Sequence, residues 1–166
     1  NVLAAIQLQV KAALDYDKLL DKLRGSEGEK NIRDQQNALI TSLNLRLNGV
    51  SKKRTRLYED YAEGLLDEAE YSFAKKSYDE QYADLSRRLD EAVQRRSKFD
   101  EAMSVDNKWI TLMKSVSTAT QLSQDLVDES VELVKVHEGG AVELVMKYGD
   151  IYELTIQSIN EVQEAM

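Results

Sequence analysis

Apolar residues recur at every third or fourth position through the first two thirds of the chain, which is the period of an α-helix. In residues 2–23 they fall on one face, and this stretch is followed by Gly25 and Gly28, which supply a stop and a flexible joint. From residue 29 to residue 103 the spacing becomes the alternation of three and four that is typical of a coiled-coil seam. The pattern predicts one amphipathic helix followed by two long heptad helices.

The two heptad patterns are similar in length and lie next to each other in sequence. The first seam contains Ile32, Leu39, Leu43, Val50, Leu57 and Tyr61, with Gln36, Leu47 and Arg54 in its gaps. The second contains Tyr71, Tyr78, Tyr82, Leu85, Leu89, Ala92, Arg96, Phe99 and Met103. Because heptad seams usually pack within a hairpin when two of them are adjacent, we predict that these side chains form the interior of a helical hairpin.

The connection between the two helices is short and carries termination and start signals. Gly64 can adopt the left-handed conformation that ends a helix, and Asp67 with Glu70 has the spacing of a capping box. Helices joined by so short a link run antiparallel. We therefore predict an antiparallel coiled-coil arm over residues 28–103 with its tip at residues 62–68.

The pattern changes after Met103. Short helices are predicted at Asn107–Ser115 and Leu122–Val131. Three β-rich runs follow, VELVKVHE, AVELVMKY and IYELTIQ, separated by Gly139-Gly140 and Gly149-Asp150. We predict a mostly α chain of the α+β class, with a helix and linker at 1–27, the arm at 28–103, and a small unit with an antiparallel β-meander at 104–166.

The composition excludes several kinds of chemistry. The chain has no Cys, no Pro and one His, so it has no disulfide, no thiolate nucleophile and no cysteine-based zinc site. We predict no catalytic residue, no metal site and no cofactor in this chain. The acidic residues Asp125, Asp128, Glu129 and Glu132 share a helix face and are interpreted as a solvated surface. No apolar run approaches the length of a membrane span, so no membrane contact is expected.

Charge is distributed unevenly along a chain whose net charge is −8. Residues 104–166 carry 4 basic and 11 acidic groups, which disfavours nucleic-acid binding by that segment. Within the arm, basic residues gather behind an acidic tip; they are Lys52, Lys53, Arg54, Arg56, Lys75 and Lys76. Two interpretations stay open for this basic band: a solvated mixed face, or contacts with phosphate or with the acidic tip of another arm.

The predicted tip carries apolar residues that neither helix can fully cover. They are Leu65 and Leu66, next to Gly64 and close to Tyr61. These side chains either plug the turn or contact a protein partner, and the sequence leaves both interpretations open. We take Tyr61, Gly64, Leu65 and Leu66 as the candidate contact residues.

Three segments resemble large serine recombinases, the site-specific serine integrase and transposon resolvase family. LYEDYAEGLLDEAEY at residues 57–71 resembles the coiled-coil hairpin turn of that family, and VLAAIQLQV at residues 2–10 resembles the helix that follows its zinc ribbon. LSQDLVDESVELVKVHEGGAVELVMKYGD at residues 122–150 is similar to its region after the coiled coil, although the helix in this segment is strongly acidic. The resemblance covers nearly the whole chain in order.

The resemblance implies a function for a longer parent protein. Such an enzyme cuts and rejoins two DNA sites through a serine phosphodiester intermediate, with its catalytic domain and zinc cysteines upstream of the region seen here. Because the chain begins with Asn1, we expect it to be a fragment, not an enzyme by itself. The implied partners are other recombinase subunits, DNA through the parent protein, and a directionality factor; the implied location is the cytoplasm of a bacterium, with the gene bacterial or phage-encoded. The alternative is a structural or adaptor coiled-coil module.

Overall fold

The computed structural model describes residues 2–166, which form mostly helices and one small antiparallel sheet, so the predicted fold class is confirmed. Long helices without interruption are favoured by the absence of Pro. The elements in chain order are α1 (Val2–Leu23), α2 (Glu27–Ala62), α3 (Glu68–Met103), α4 (Lys108–Ser115), α5 (Gln124–Ser130), β1 (Val131–Val136), β2 (Val142–Met146) and α6 (Gly149–Glu164).

The chain divides into two compact units. The first, here called the core unit, contains the residues up to Ile32 together with Lys98–Met166. The second, the hairpin unit, is Arg33–Ser97 and consists of the adjoining parts of α2 and α3. Each unit has its own cluster of buried apolar side chains.

The core unit is built around α1, which packs against α4 and α6. Trp109 of α4 is completely buried, with its ring centroid 4.7 Å from that of Tyr152 and 6.1 Å from that of Tyr16. Three large aromatic rings from three helices thus meet at the centre of this unit, where they remove much apolar surface from water. Other fully buried side chains are Ile6, Ala13, Leu20, Met113, Ile159 and Val162.

The sheet of the core unit is a two-stranded hairpin. Val134 pairs with Leu144, Val136 pairs with Val142, and an irregularity interrupts the register between Val131 and Leu133. The predicted turn at Gly139-Gly140 is confirmed, since both glycines have positive φ angles of 97° and 84°. Such angles are costly for residues that carry a Cβ atom.

The third predicted strand is wrong. The run IYELTIQ lies in α6, and Gly149 begins that helix instead of forming a turn before a strand. The residue with the left-handed conformation is Tyr148, at φ 57°. One face of α6 is buried in the core unit, so this segment is fixed by helix packing and not by strand pairing; the buried residues are Ile151, Thr155, Ser158, Ile159 and Val162.

The interior of the hairpin unit follows the heptad pattern with one correction. Leu43, Val50, Leu85 and Ala92 are buried, and partly buried side chains pack around them. Leu39, assigned to the seam from sequence, is 45% exposed, and Ile40 packs against the cluster in its place. With Ile40 the spacing from Gln36 to Tyr61 is a regular alternation of four and three, as a coiled coil requires.

No helix within residues 2–166 has both the length and the apolar character of a membrane span. The long helices α2 and α3 instead carry many charged side chains among their apolar ones.

Candidate protein-interaction site at the hairpin tip

The end of α2 is closed by a Schellman arrangement around Gly64. Gly64 has a φ angle of 76°, the left-handed conformation that ends a helix. Its N–H donates to the carbonyl oxygen of Tyr61 at 3.0 Å, and the N–H of Leu65 donates to that of Asp60 at 2.9 Å. These two bonds satisfy carbonyl groups that the end of the helix leaves without partners.

The start of α3 is closed by a reciprocal capping box. The N–H of Glu70 donates to the Asp67 carboxylate at 2.8 Å, and the N–H of Asp67 donates to the Glu70 carboxylate at 3.0 Å. Both bonds satisfy backbone donors at the helix start. The chain reversal is therefore held by hydrogen bonds on both sides.

An aromatic pair joins the two helices just behind the turn. The rings of Tyr61 and Tyr71 are stacked, with centroids 4.3 Å apart and planes 14° from parallel. Tyr61, one of the residues assigned to partner contact from sequence, thus packs within the hairpin, although its side chain stays partly accessible.

Large apolar side chains remain exposed around this well-ordered turn. Leu65 is 67% exposed and Phe73 is 82% exposed, while Tyr58 is also open to solvent. Leu66 is half-buried. Sequence reasoning identified Leu65 and Leu66 but missed Tyr58 and Phe73, because both lie outside the seam. Both are large aromatic residues at heptad positions outside the seam, and this pattern predicts an exposed aromatic side chain.

The residues of the predicted basic band do not act as one group. Asp79 lies between two of them: its carboxylate is 2.9 Å from the guanidinium of Arg54 and 2.6 Å from the ammonium of Lys75. Arg54 also lies over the ring of Tyr82, 4.7 Å from its centroid. The hydrogen bond from Lys75 lowers the pKa of Asp79, with the charges of Lys75 and Arg54 adding to it. The same bond raises the pKa of Lys75.

The remaining four basic residues have free charges. Lys52, Lys53, Arg56 and Lys76 make no ion pair with any residue in the described part of the chain. The acidic side chains nearer the tip, among them Glu59, Asp60 and Glu63, likewise have no basic partner among residues 2–166. The hairpin unit therefore presents unpaired charge of both signs near the tip, and on α2 Lys52, Arg56, Glu59, Asp60 and Glu63 line one shallow groove.

Titratable groups elsewhere in the chain make pairwise contacts. Glu143 on the β-hairpin accepts from Lys135 and lies 3.0 Å from His137, and these neighbours lower its pKa, Lys135 most. On the acidic face of α5, Glu129 accepts a hydrogen bond from the Ser115 hydroxyl at 3.0 Å. Within residues 2–166 no three acidic or histidine side chains converge as metal ligands do.

Comparison with known proteins assigns no family to the chain. No family model matches it, and neither the curated proteins nor the solved structures include a match. The hairpin tip presents exposed apolar side chains next to unpaired charges, on a turn closed by hydrogen bonds. Such a surface suits binding to another macromolecule.

Proposed function

We propose that this chain is the non-catalytic C-terminal part of a site-specific large serine recombinase, and that its hairpin unit mediates protein–protein contacts during DNA synapsis and the control of direction. DNA cleavage and rejoining belong to the upstream catalytic domain of the parent protein in this proposal. The hairpin acts by binding other recombinase subunits.

One observation carries the proposal: the segment that resembles the recombinase hairpin turn forms a turn closed by hydrogen bonds yet leaves Leu65 exposed at its apex. Gly64, Asp67 and Glu70 have backbone roles, and Tyr61 packs on Tyr71. Leu65 makes no comparable contribution, since two thirds of its surface stays in water. A single exposed leucine is ordinary, but here exposed Tyr58 and Phe73 lie within two to three helical turns of it.

The size of the tip agrees with a reversible contact. Stable protein interfaces bury about 1,200 Å² or more in total, which a surface of two or three helical turns cannot supply. Recombination requires that the synaptic complex assembles and later separates. A small apolar contact with limited affinity meets both needs.

The proposal is tested with Leu65→Ser in the full-length parent protein. We expect synapsis of two DNA sites to be lost while binding to a single site is preserved, because only the contact between subunits is removed. Leu45→Ser is the matched control, since Leu45 is 68% exposed on α2 but lies far from the tip in sequence. Circular dichroism of the Leu65→Ser fragment should show unchanged helicity.

Two results would contradict the proposal. The first is unchanged synapsis by Leu65→Ser, or equal loss with Leu45→Ser. The second is a coding sequence upstream of Asn1 without a serine recombinase catalytic domain and without four cysteines in zinc-ribbon spacing. The first result would mean that Leu65 only closes the turn. The second would favour the alternative, a structural or adaptor coiled-coil module that binds a protein unrelated to DNA.

A further inference from the structure

An open groove on the core unit, here called the edge groove, follows one edge of strand β2. It is lined by Leu144, Val145, Met146 and Lys147, together with Gln9 of α1 and the start of α6. Successive side chains of a strand point to opposite faces of its sheet, so a groove lined by four consecutive residues runs along the edge of the strand. The volume of the edge groove is about 1000 Å³, and its lining residues belong to the core unit.

The peptide groups on this edge of β2 are not used by the sheet. Within residues 2–166 the sheet contains β1 and β2 alone, so β2 has a neighbouring strand on one side only. The N–H of His137 donates to the carbonyl oxygen of Ala141 at 2.8 Å, which sets the alternation of bonded and non-bonded pairs along the ladder. Leu144 therefore belongs to a non-bonded pair, with its N–H and C=O directed away from β1. Such an edge can accept a further strand from another chain.

The edge groove has an acidic and aromatic lining. Lys147 is held by the backbone, since its ammonium group donates to the carbonyl oxygen of Asp128. Tyr148 and Tyr152 contribute rings of the kind that attract cations. Three lining carboxylates form no ion pair with any residue in the described part of the chain: Glu132, Asp150 and Glu153. The groove therefore favours a positively charged occupant.

The edge groove also offers apolar surface and an unused acceptor. Leu144, Val145 and Met146 are half-buried, so part of each side chain is open to a ligand. The side-chain oxygen of Gln9 is buried and accepts no hydrogen bond from residues 2–166. An occupant with apolar groups and N–H donors beside its positive charges matches this lining.

We infer that the edge groove binds an extended basic segment of a partner protein, which adds as a third strand to the free edge of β2 and places Arg or Lys side chains beside Glu132, Asp150 and Glu153. Charge determines the occupant. Residues 104–166 carry 4 basic and 11 acidic groups, so a second copy of this edge would bring carboxylates against carboxylates. A DNA backbone would be repelled for the same reason.

The physical properties of such a contact follow from its two components. Main-chain hydrogen bonds supply most of the affinity in strand addition, and the side chains supply specificity. Ion pairs between exposed side chains are individually weak and are screened by salt. We therefore expect a Kd below about 1 mM at low ionic strength and weaker binding at high ionic strength.

The probe is a fluorescein-labelled peptide of about eight residues in which Arg and Val alternate. Its binding to the 166-residue chain is measured by fluorescence anisotropy at about 50 mM and about 500 mM salt. A matched peptide with Glu in place of every Arg should not bind. Hydrogen exchange measured by NMR reports on the backbone: the Arg peptide should slow exchange of the Leu144 amide more than that of the Val145 amide, which already faces β1.

Two variants test the role of the carboxylates. Glu132→Gln with Glu153→Gln should weaken binding of the Arg peptide at least about threefold at low salt, because two ion pairs are lost. Glu138→Gln with Glu164→Gln is the matched control, since it changes the net charge equally at exposed positions that do not line the edge groove. The control variant should bind the peptide about as well as the natural chain. Circular dichroism verifies that both variants keep their helicity.

The inference is overturned if the Arg peptide shows no saturable binding below about 1 mM, or if the Glu peptide binds equally well. It is also overturned if the two variants lose affinity equally, or if exchange of the Leu144 amide does not change. Binding to the isolated chain but not to the parent protein would mean that the parent's own residues fill the groove, which likewise excludes a partner segment. These measurements concern the core unit, so they are independent of the synapsis assay with Leu65→Ser.

Discussion

Asn107 is a polar side chain in the interior of the core unit, and its hydrogen bonds explain how it is accommodated there. Its side-chain oxygen accepts from the N–H of Ile110 at 3.1 Å, which caps α4. Its amide nitrogen donates to the carbonyl oxygen of Ala102 at 2.9 Å and to the Thr155 hydroxyl at 2.8 Å. One residue thus connects the end of α3, the start of α4 and the middle of α6.

Asn107→Ala should destabilise the core unit by about 2–4 kcal/mol, because it removes a helix cap and leaves buried groups without partners. Ser123→Ala is the control, since Ser123 caps α5 at an exposed position and its loss should cost only about 1 kcal/mol. Urea unfolding followed by the fluorescence of Trp109 reports on this unit. If Asn107→Ala lowers the free energy of unfolding no more than Ser123→Ala does, the buried hydrogen bonds of Asn107 contribute little to stability.

The carboxyl group of Asp79 has a shifted pKa that links the stability of the hairpin unit to pH. Its pKa lies below the ordinary value of 3.8, and the hydrogen bond from Lys75 is the main cause. A lowered pKa in the folded state means that the carboxylate stabilises the fold at pH values above its unfolded pKa. That contribution is lost as the pH falls through the folded pKa.

Lys75→Met should raise the pKa of Asp79 toward 3.8, and Lys76→Met should leave it unchanged, because Lys76 does not contact Asp79. The titration is followed by NMR of the Asp79 side chain between neutral and acid pH. An identical Asp79 titration in the natural chain and in Lys75→Met would refute the assignment of the cause.

The residues of the tip differ in how well sequence predicts them. Gly64, Asp67 and Glu70 act on the backbone within a few positions, so their spacing alone identifies them. The exposure of Tyr58 and Phe73 is harder to predict, because it depends on whether the partner helix of the hairpin covers them. The pairing of Arg54 and Lys75 with Asp79 is not predicted by the grouping of the basic residues, which takes no account of the acid four residues beyond Lys75.

At the level of elements, α6 shows how a helix can resemble a strand in sequence. Two of its five buried residues are Thr155 and Ser158, so polar residues hide the helical period of the apolar ones. The Thr155 hydroxyl donates to the carbonyl oxygen of Ile151 at 2.6 Å and accepts from Asn107, which allows its burial. The bond from Asn107 depends on the tertiary structure and leaves no sequence signal.

In the seam of α2, the sequence pattern places Leu39 in the interior, whereas the structure places Ile40 there. Leu39 and Ile40 are both large and apolar, so local composition does not distinguish them. Only the continuation of the heptad from Gln36 through Leu43 places Ile40 inside. The long-range regularity of the seam, not the hydrophobicity of single residues, decides which side chain is buried.

Two glycines of α2 should respond oppositely to alanine. Gly49→Ala should stabilise the chain by about 0.5–1 kcal/mol, because its added methyl group meets open space and alanine favours helix. Gly28→Ala should destabilise it by about 1–3 kcal/mol, because its methyl group would overlap the carbonyl oxygen of Val162. Thermal unfolding followed by circular dichroism compares the two variants. Equal shifts of the two transitions would contradict this account of the packing of α2 on α6.

At the scale of the whole molecule, the charge distribution limits the affinity of the chain for nucleic acid. The chain carries a net charge of −8. Four residues of the basic band have no ion pair: Lys52, Lys53, Arg56 and Lys76. Acidic residues of the tip lie beside them in sequence. Attraction to a duplex is therefore local and opposed by the remaining charge.

We expect the isolated chain to bind duplex DNA more weakly than about 10 µM at physiological salt and without sequence preference. If all four free cations contact phosphates, the logarithm of the binding constant falls with the logarithm of salt concentration at a slope of about −4 or shallower. Fluorescence anisotropy with a labelled duplex measures both quantities, and Lys52→Gln with Lys76→Gln should make the slope shallower. A recombination site bound tightly in preference to a scrambled duplex, or a slope much steeper than −4, would mean that surfaces other than the basic residues of the hairpin contact DNA.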